Sequence, residues 1–509
     1  MTFIAGPRFD LGTGGHRSGR AATAWSAVML LAILGSYWAA SFGHVRTTVS
    51  FLGLAVLGLV GAFVARGSDT TSYLVVVAVV VILIPPSLGV GGRGLSPASL
   101  LALGAGWLWI YGSLVPSLGL PTSPQPLHWA FLAYAMATGA SLVVSAVRPL
   151  DALEAGSSNL GILAIVTSLS AALLICDGVS SWARLYTFLR ALVVAGSVAA
   201  VVGIVQFTLE YDLSALIGFP GLTTVEGTAG GIHDRDGFAR VIGTMLHPIE
   251  FSVVLTVLLP IALHLTYQAA PGRRGRWWLS VALLASAIPM SVSRSGAVGL
   301  FFVAIILFPT WTGPRRVQAM IAATVFAVGM KVLVPGLLGT IRGLFLSAGV
   351  DPSVTARTVD YGFVTDFISE RPWFGRGNST FLPERYDFLD NQYLVTLVET
   401  GIIGLLTIVG MFFVGICLCR RVKRATCDPV TADLAQSLVA SLVVVLASFA
   451  TFDYLGFQTA RLSAFIVLGC TGAVWRLHRA DEAEARSPDA MPAGRSTSNG
   501  SGVREPRQL

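Results

Sequence analysis

The sequence predicts an all-α integral membrane protein, and three observations carry that reading. Of 509 residues, 54% are hydrophobic and only 12% charged, whereas a soluble domain carries about 25% charged residues. The apolar residues fall in runs of about 18 to 25, the length that crosses ~30 Å of hydrocarbon as helix. The runs are continuous, which argues against the alternating strands of about ten residues that build a closed barrel.

The candidate spans are 21–41, 47–65, 72–90, 97–118, 126–147, 159–177, 187–209, 248–267, 277–292, 296–311, 316–335, 394–419, 435–455 and 460–476. That gives about 14 transmembrane helices, with 12 possible; the pair 277–292 and 296–311 also reads as one broken unit. The first run ends in Ala39-Ala40-Ser41, a poor cleavage site soon followed by another span, so it reads as an uncleaved anchor.

Arginines in short loops give the orientation. Arg273, Arg274 and Arg276 share one loop, Arg315 and Arg316 another, and Arg420, Arg421, Lys423 and Arg424 a third. Alternation over the spans puts all three on one side together with both termini, and that side is expected to be cytoplasmic. The chain then divides into a disordered cytoplasmic N-terminus (1–20) and an N-terminal scaffold of spans (21–209). Spans with external arginine loops follow (210–335), then a large extracytoplasmic loop with an amphipathic helix (336–393). The last spans (394–476) and a disordered cytoplasmic tail (477–509) complete it. The first seven spans hold almost no internal charge, so the chemistry is expected in the second half.

The net charge of +7 is modest and is accounted for by the cytoplasmic arginine clusters, so it is no sign of nucleic acid. None of the five cysteines (Cys176, Cys417, Cys419, Cys427, Cys470) falls in a predicted external loop, so no disulfide is expected.

Three polar clusters carry the candidate chemistry. The first, residues 231–250, contains Arg240, His247 and Glu250 at the mouth of the span that Pro248 opens. Glu250 either caps a positive helix end or meets an arginine across the bundle. Asp234 and Asp236 flank Arg235 in the same cluster, a short pattern that could hold a divalent ion, but the preferred reading has no metal and no cofactor. The second cluster is the external turn Ser293-Arg294-Ser295-Gly296, where Arg294 either snorkels to headgroups or contacts an anion.

The third cluster is the stretch from Asp351 to Gly404. Arg357 opens an amphipathic segment with Val359, Phe363, Val364, Phe367 and Ile368 on one face. Arg371-Pro372 ends it, because the residue before proline avoids helix. Gly375 and Gly377 allow a turn, Asp390-Asn391 stands ahead of the next span, and Glu399 lies two turns inside it.

These residue types suit one reaction. Guanidinium grips phosphate oxygens in a fixed fork and keeps its charge. Arginines converging at the membrane surface would stabilise the charge growing on a departing diphosphate. A carboxylate such as Asp390 would take the proton of an acceptor hydroxyl.

The chain resembles the O-antigen ligase/polymerase superfamily of bacterial membrane proteins. The likeness rests on Arg357, on Pro372-Trp373-Phe374-Gly375-Arg376-Gly377, on Asp390-Asn391-Gln392-Tyr393-Leu394 and on Glu399-Thr400-Gly401. Ser293-Arg294-Ser295-Gly296 and Arg240 with Gly243 and His247-Pro248 add to it. It covers about 235–405 and is only hydropathic elsewhere. The resemblance implies a multi-span GT-C-like glycosyltransferase architecture, a polyprenyl-diphosphate-linked glycan donor, a glycan, lipid or cell-wall acceptor, and metal-independent, inverting transfer. It places the active site on the outer face of the bacterial cytoplasmic membrane. It assigns catalysis to Asp390, Arg357 and Arg294, diphosphate binding to Arg240, Arg294 and Arg357, and support to His247, Glu250, Asn391, Tyr393 and Glu399. One departure stands out. Asp390 occupies the position where the family usually has histidine, so the base is either this aspartate or one of the reserves, His247 and Glu399.

The competing reading is a flippase for lipid-linked oligosaccharide. It would spread its charges along a central cavity from both halves of the chain. A plain scaffold whose loop binds headgroups is the third reading.

Overall fold

The structure is a computed structural model that describes residues 70–89, 95–114, 124–217, 222–224, 233–235, 237–346, 362, 364–386 and 388–486. The tail expected to be disordered from 477 is helical as far as Arg486, because the last helix, Gln458–Arg486, runs on past the expected span. The chain beyond it, the N-terminal tail and the two spans expected at 21–41 and 47–65 lie outside the described residues. So does Arg357.

The helices in chain order are α1 (Thr70–Leu83), α2 (Pro97–Leu114), α3 (Pro126–Ser145), α4 (Ala152–Gly178), α5 (Trp182–Leu209), α6 (Pro248–Gln268), α7 (Pro271–Met290), α8 (Arg294–Leu307), α9 (Gly313–Leu333), α10 (Leu337–Leu346), α11 (Gln392–Ala425), α12 (Pro429–Phe449) and α13 (Gln458–Arg486). A helical stretch at 364–370 precedes Arg371-Pro372. Each of the twelve expected spans from 72–90 onward coincides with a helix. Eight of the described helices, α3 to α6, α9 and α11 to α13, are long and apolar enough to cross a membrane. The four strands form two small ribbons, β1 (Leu88–Gly89) with β2 (Thr223–Thr224) and β3 (His233–Arg235) with β4 (Phe238–Arg240). They make no sheet core.

Local chemistry sets the helix starts. Proline stands in the first turn of α3, α6, α7 and α12, where its missing N–H costs nothing. Asp151, Ser181, Asn391 and Asp428 cap α4, α5, α11 and α12 by accepting first-turn N–H groups.

The central helices are α6 and α13, both almost wholly buried. α13 packs on α4, α11 and α12, and α6 packs on α7, α8 and α12. Phe412, Phe449, Phe465 and Tyr454 meet edge to face or tilted at their junction. α9 is the opposite case, apolar and almost wholly exposed. Away from Arg315 and Met330, its exposed apolar face suits lipid.

At one end of the bundle, buried polar groups close the helix ends. His264 Nδ1 lies 2.7 Å from Asp433, whose other oxygen accepts from Arg315 at 2.5 Å. Tyr186 Oη is 3.2 Å from the far nitrogen of His264, and Arg315 stacks 3.8 Å over Tyr267. Close by in the fold, Asp177 accepts from Trp109 and Gln125 and pairs with His128 at 3.2 Å. The arginine clusters 273–276, 315–316 and 420–424, expected in loops, lie at this end but inside the ends of α7, α9 and α11. The candidate site lies at the other.

Candidate functional site

The site is built around a break in a helix. Within α11, Gly401 has φ 68° and ψ −168°, outside the helical region. The break leaves carbonyls and N–H groups without helical partners, and the turn 372–377 supplies them. Arg376 N–H donates to the Val398 carbonyl (2.9 Å) and Gly377 N–H to that of Glu399 (2.9 Å). In return, Ile402 N–H donates to the Pro372 carbonyl (2.8 Å) and Ile403 N–H to that of Trp373 (3.2 Å). Gly375 has φ 66°, and a Cβ on it would run into the Glu399 carbonyl; one on Gly401 would run into that of Trp373. The two sequence motifs, Pro-Trp-Phe-Gly-Arg-Gly and Glu-Thr-Gly, are therefore two halves of one backbone interlock.

The interlock is held from α3 and α4. Ser141 donates to the Glu399 carbonyl at 2.7 Å. Glu154, 1% exposed, accepts from Arg148 at 2.9 Å and from Tyr386 at 3.3 Å, with Arg385 at 3.6 Å and Arg376 at 4.0 Å. Arg385 also meets Asp151 at 2.5 Å. Neighbouring positive charge and the Glu154 N–H hold the Asp151 carboxyl below its usual range, the backbone N–H contributing most. Arg376 lies 4.9 Å over Phe367 and 4.8 Å over Tyr386. So two of the loop arginines are engaged in seating the loop on the N-terminal helices. Sequence reasoning saw little charge in those spans and missed Glu154, whose signal was an acid one turn after a capping aspartate.

Beneath the seated loop lies a cavity of about 530 Å³, within the ~300–1,000 Å³ usual for small-molecule sites. Asp390 and Glu399 line it, together with Asn378, Ser379 and Gln458. Tyr134, Ser157 and Gly161 make its far wall, so the N-terminal helices contribute as well. The Glu399 carboxylate accepts from Phe381 N–H at 3.2 Å, which fixes it against the loop.

Two lining residues were not foreseen, Asp453 and Arg461. The expected span 435–455 hid the first. α12 ends at Phe449, and Thr451–Gly456 form a polar turn before α13. Gln392 pins this turn, donating its N–H to the Phe452 carbonyl (3.2 Å) and accepting Leu455 N–H on its side chain (2.6 Å). Burial pushes the Asp453 carboxyl up to about 6, with nearby Asp390 adding to the rise and Gly456 N–H and Arg461 opposing it.

Four further expected residues prove to position helices. Asn391 caps α11, accepting from Tyr393 and Leu394 N–H groups. Tyr393 donates to the Leu446 carbonyl at 2.6 Å. His247 caps α6 through Nδ1 and packs its ring against Phe457, a cavity residue. Glu250 accepts from Thr459 and Ala460 N–H groups (2.9 and 3.1 Å) and from Leu246 N–H (3.0 Å). Both readings open for it hold: it caps a helix end, that of α13 rather than its own, and its charge acts on Arg461 across the bundle.

Arg240 and Arg294 are both placed beside one turn. Arg240 Nε donates to the Ser291 carbonyl at 3.4 Å, and Arg294 opens α8 three residues on. Val292 between them has φ 46°, rare for a β-branched residue. The tight turn thus lies at 291–293, with Ser293-Arg294-Ser295-Gly296 running into the helix. The backbone of Asp234 belongs to the β3–β4 ribbon, while Asp236 lies outside the described residues.

An all-α bundle with apolar spans, a loop locked into a broken helix and a cavity with charged side chains beneath it defines a multi-pass membrane protein with a site at one end. Residues 279–409 match the family model described as O-antigen ligase, and this supports placing the chain in the O-antigen ligase/polymerase superfamily. The matched region takes in Arg294, the loop and the Glu399–Gly401 break; it begins after Arg240 and ends before Asp453 and Arg461. No curated protein matches the sequence.

Proposed function

We propose that the protein transfers a glycan from a polyprenyl-diphosphate-linked donor to an acceptor hydroxyl at the outer face of a bacterial cytoplasmic membrane. The observation that supports this reading is the placement of Arg240 and Arg294 beside one turn, Arg240 bonded to the Ser291 carbonyl and Arg294 three residues further on, at the end of the bundle where Asp390 lines the cavity. The basic helix ends 273–276 of α7 and 420–424 of α11 sit at the opposite end, which the positive-inside preference assigns to the cytoplasm.

In the reaction the acceptor oxygen attacks the anomeric carbon. The bond from that carbon to the diphosphate oxygen breaks, and the electron pair leaves with polyprenyl diphosphate. Arg240 and Arg294, joined by Arg357 from the loop, stabilise the growing negative charge with forked hydrogen bonds. Asp390 takes the hydroxyl proton. One displacement inverts the anomeric configuration. Three guanidinium groups supply the positive charge that a divalent ion would otherwise bring, so no metal enters this scheme. Polymerase and ligase differ only in the acceptor that enters the cavity.

The test uses full-length protein in proteoliposomes with polyprenyl-diphosphate-linked glycan extracted from the source strain. Release of polyprenyl diphosphate with a new glycosidic product is the expected result. Passage of intact lipid-linked glycan across the bilayer, without release, would overturn it in favour of a flippase.

A further inference from the structure

The cavity sets three carboxyl groups, Asp390, Glu399 and Asp453, against one guanidinium, Arg461. They are differently placed. Glu399 is taken up by Phe381 N–H. Arg461 donates to the Leu455 carbonyl at 2.5 Å, and Asp453 on one flank and Glu250 on the other offset its charge. The Asp453 carboxylate accepts Gly456 N–H at 3.3 Å on Oδ1; Oδ2 has no partner of that kind among the described residues, and the residue lines the cavity. The turn that carries Asp453 is rigid, because Gln392 binds it at both Phe452 and Leu455. Two aromatic rings, Phe388 and Phe457, stand at the same wall.

We propose that this cavity is the acceptor subsite, that it takes a neutral or amino-bearing, hydroxyl-rich sugar and rejects an acidic one, and that Asp453 is the residue that holds the sugar. The proposal rests on the transfer reading above and adds the acceptor's chemical class to it. A carboxylate with an open oxygen accepts hydrogen bonds from a hydroxyl or an ammonium group but repels a second carboxylate. The rings offer the apolar faces against which a sugar lies flat. Asp453 binds the acceptor while Asp390 removes the proton, so the two acids affect different steps.

The experiment measures binding without turnover. Full-length protein in lipid nanodiscs is titrated with the methyl glycosides of glucose, glucosamine and glucuronic acid, and of the corresponding galacto sugars, followed by saturation-transfer NMR at pH 7. The neutral and amino glycosides are expected to bind about ten-fold more tightly than the uronides, the scale of one unfavourable charge contact. Asp453→Asn is expected to abolish the preference for the amino over the acidic sugar, with the protein still monodisperse. Equal or tighter binding of the uronides to the wild type overturns the proposal with no variant needed. So does an unchanged charge preference in Asp453→Asn, or the absence of binding by every glycoside. Each of those outcomes leaves the transfer reading standing, since donor release is measured separately; failure of donor release with the binding preference intact would sink the transfer reading instead.

Discussion

Gly375 and Gly401 face each other backbone to backbone, each at positive φ (66° and 68°), and each occupies the only space the other's neighbours leave. The loop motif and the helix motif are thereby one object. A side chain at either position meets carbonyl atoms that cannot move aside.

Gly375→Ala and Gly401→Ala should each unseat the loop. Positive φ alone costs an alanine about 1 kcal/mol, and the backbone collision adds to it. A drop in melting temperature together with loss of glycan transfer is expected. Full activity in either variant would show that the interlock is dispensable.

Glu154→Ala should be more damaging than a surface charge deletion. It strips the buried partner from Arg148 and weakens the hold on Arg376 and Arg385. Removing one side of a buried pair costs about 3–5 kcal/mol; the partial exposure of these arginines puts the expected loss at or below the lower end. Faster proteolysis between 362 and 386 is the readout.

Arg294→Lys and Arg240→Lys keep the charge but lose the fork. Transfer should fall by about 10²-fold, the scale of one lost transition-state donor, while membrane insertion is unaffected. Asp390→Asn should lower the turnover rate and spare donor binding. Chelators should leave the rate unchanged.

Asp453 gives a pH dependence whose sign follows from its raised pKa. The folded state favours the protonated acid, so this contribution to stability is complete below the ordinary value of 3.8 and is lost as pH rises through about 6. Asparagine has no such titration. The melting temperature of Asp453→Asn relative to wild type should therefore climb between pH 4 and pH 7. A flat difference would mean that Asp453 titrates like a surface acid.

Hydropathy made the bundle legible, because each long apolar run must become a helix in lipid. The helix start at Pro248 followed from proline chemistry, and Asp390-Asn391 marked the approach to the next start. The loop stretch and the turn near Arg294 also stood out, since charge is rare in so apolar a chain. What escaped was partnership. Nothing in the spacing of Glu154 and Arg376 says that they meet, because 222 residues separate them and only packing joins them. Asp453 was hidden by a hydropathy window that ran past Phe449 into a polar turn. His247 and Glu250 had the polarity of catalytic groups, yet their hydrogen bonds go to helix ends.

The interlock between 372–377 and 398–403 also fixes how this protein can be recombined with its relatives. A loop grafted without its own receiving helix would bring donors with no acceptors, and a helix grafted alone would leave an open gap in its own ladder. Chimeras meant to swap specificity should be cut ahead of Arg371 and beyond Ile403, so that the seam and the span travel as a single cassette.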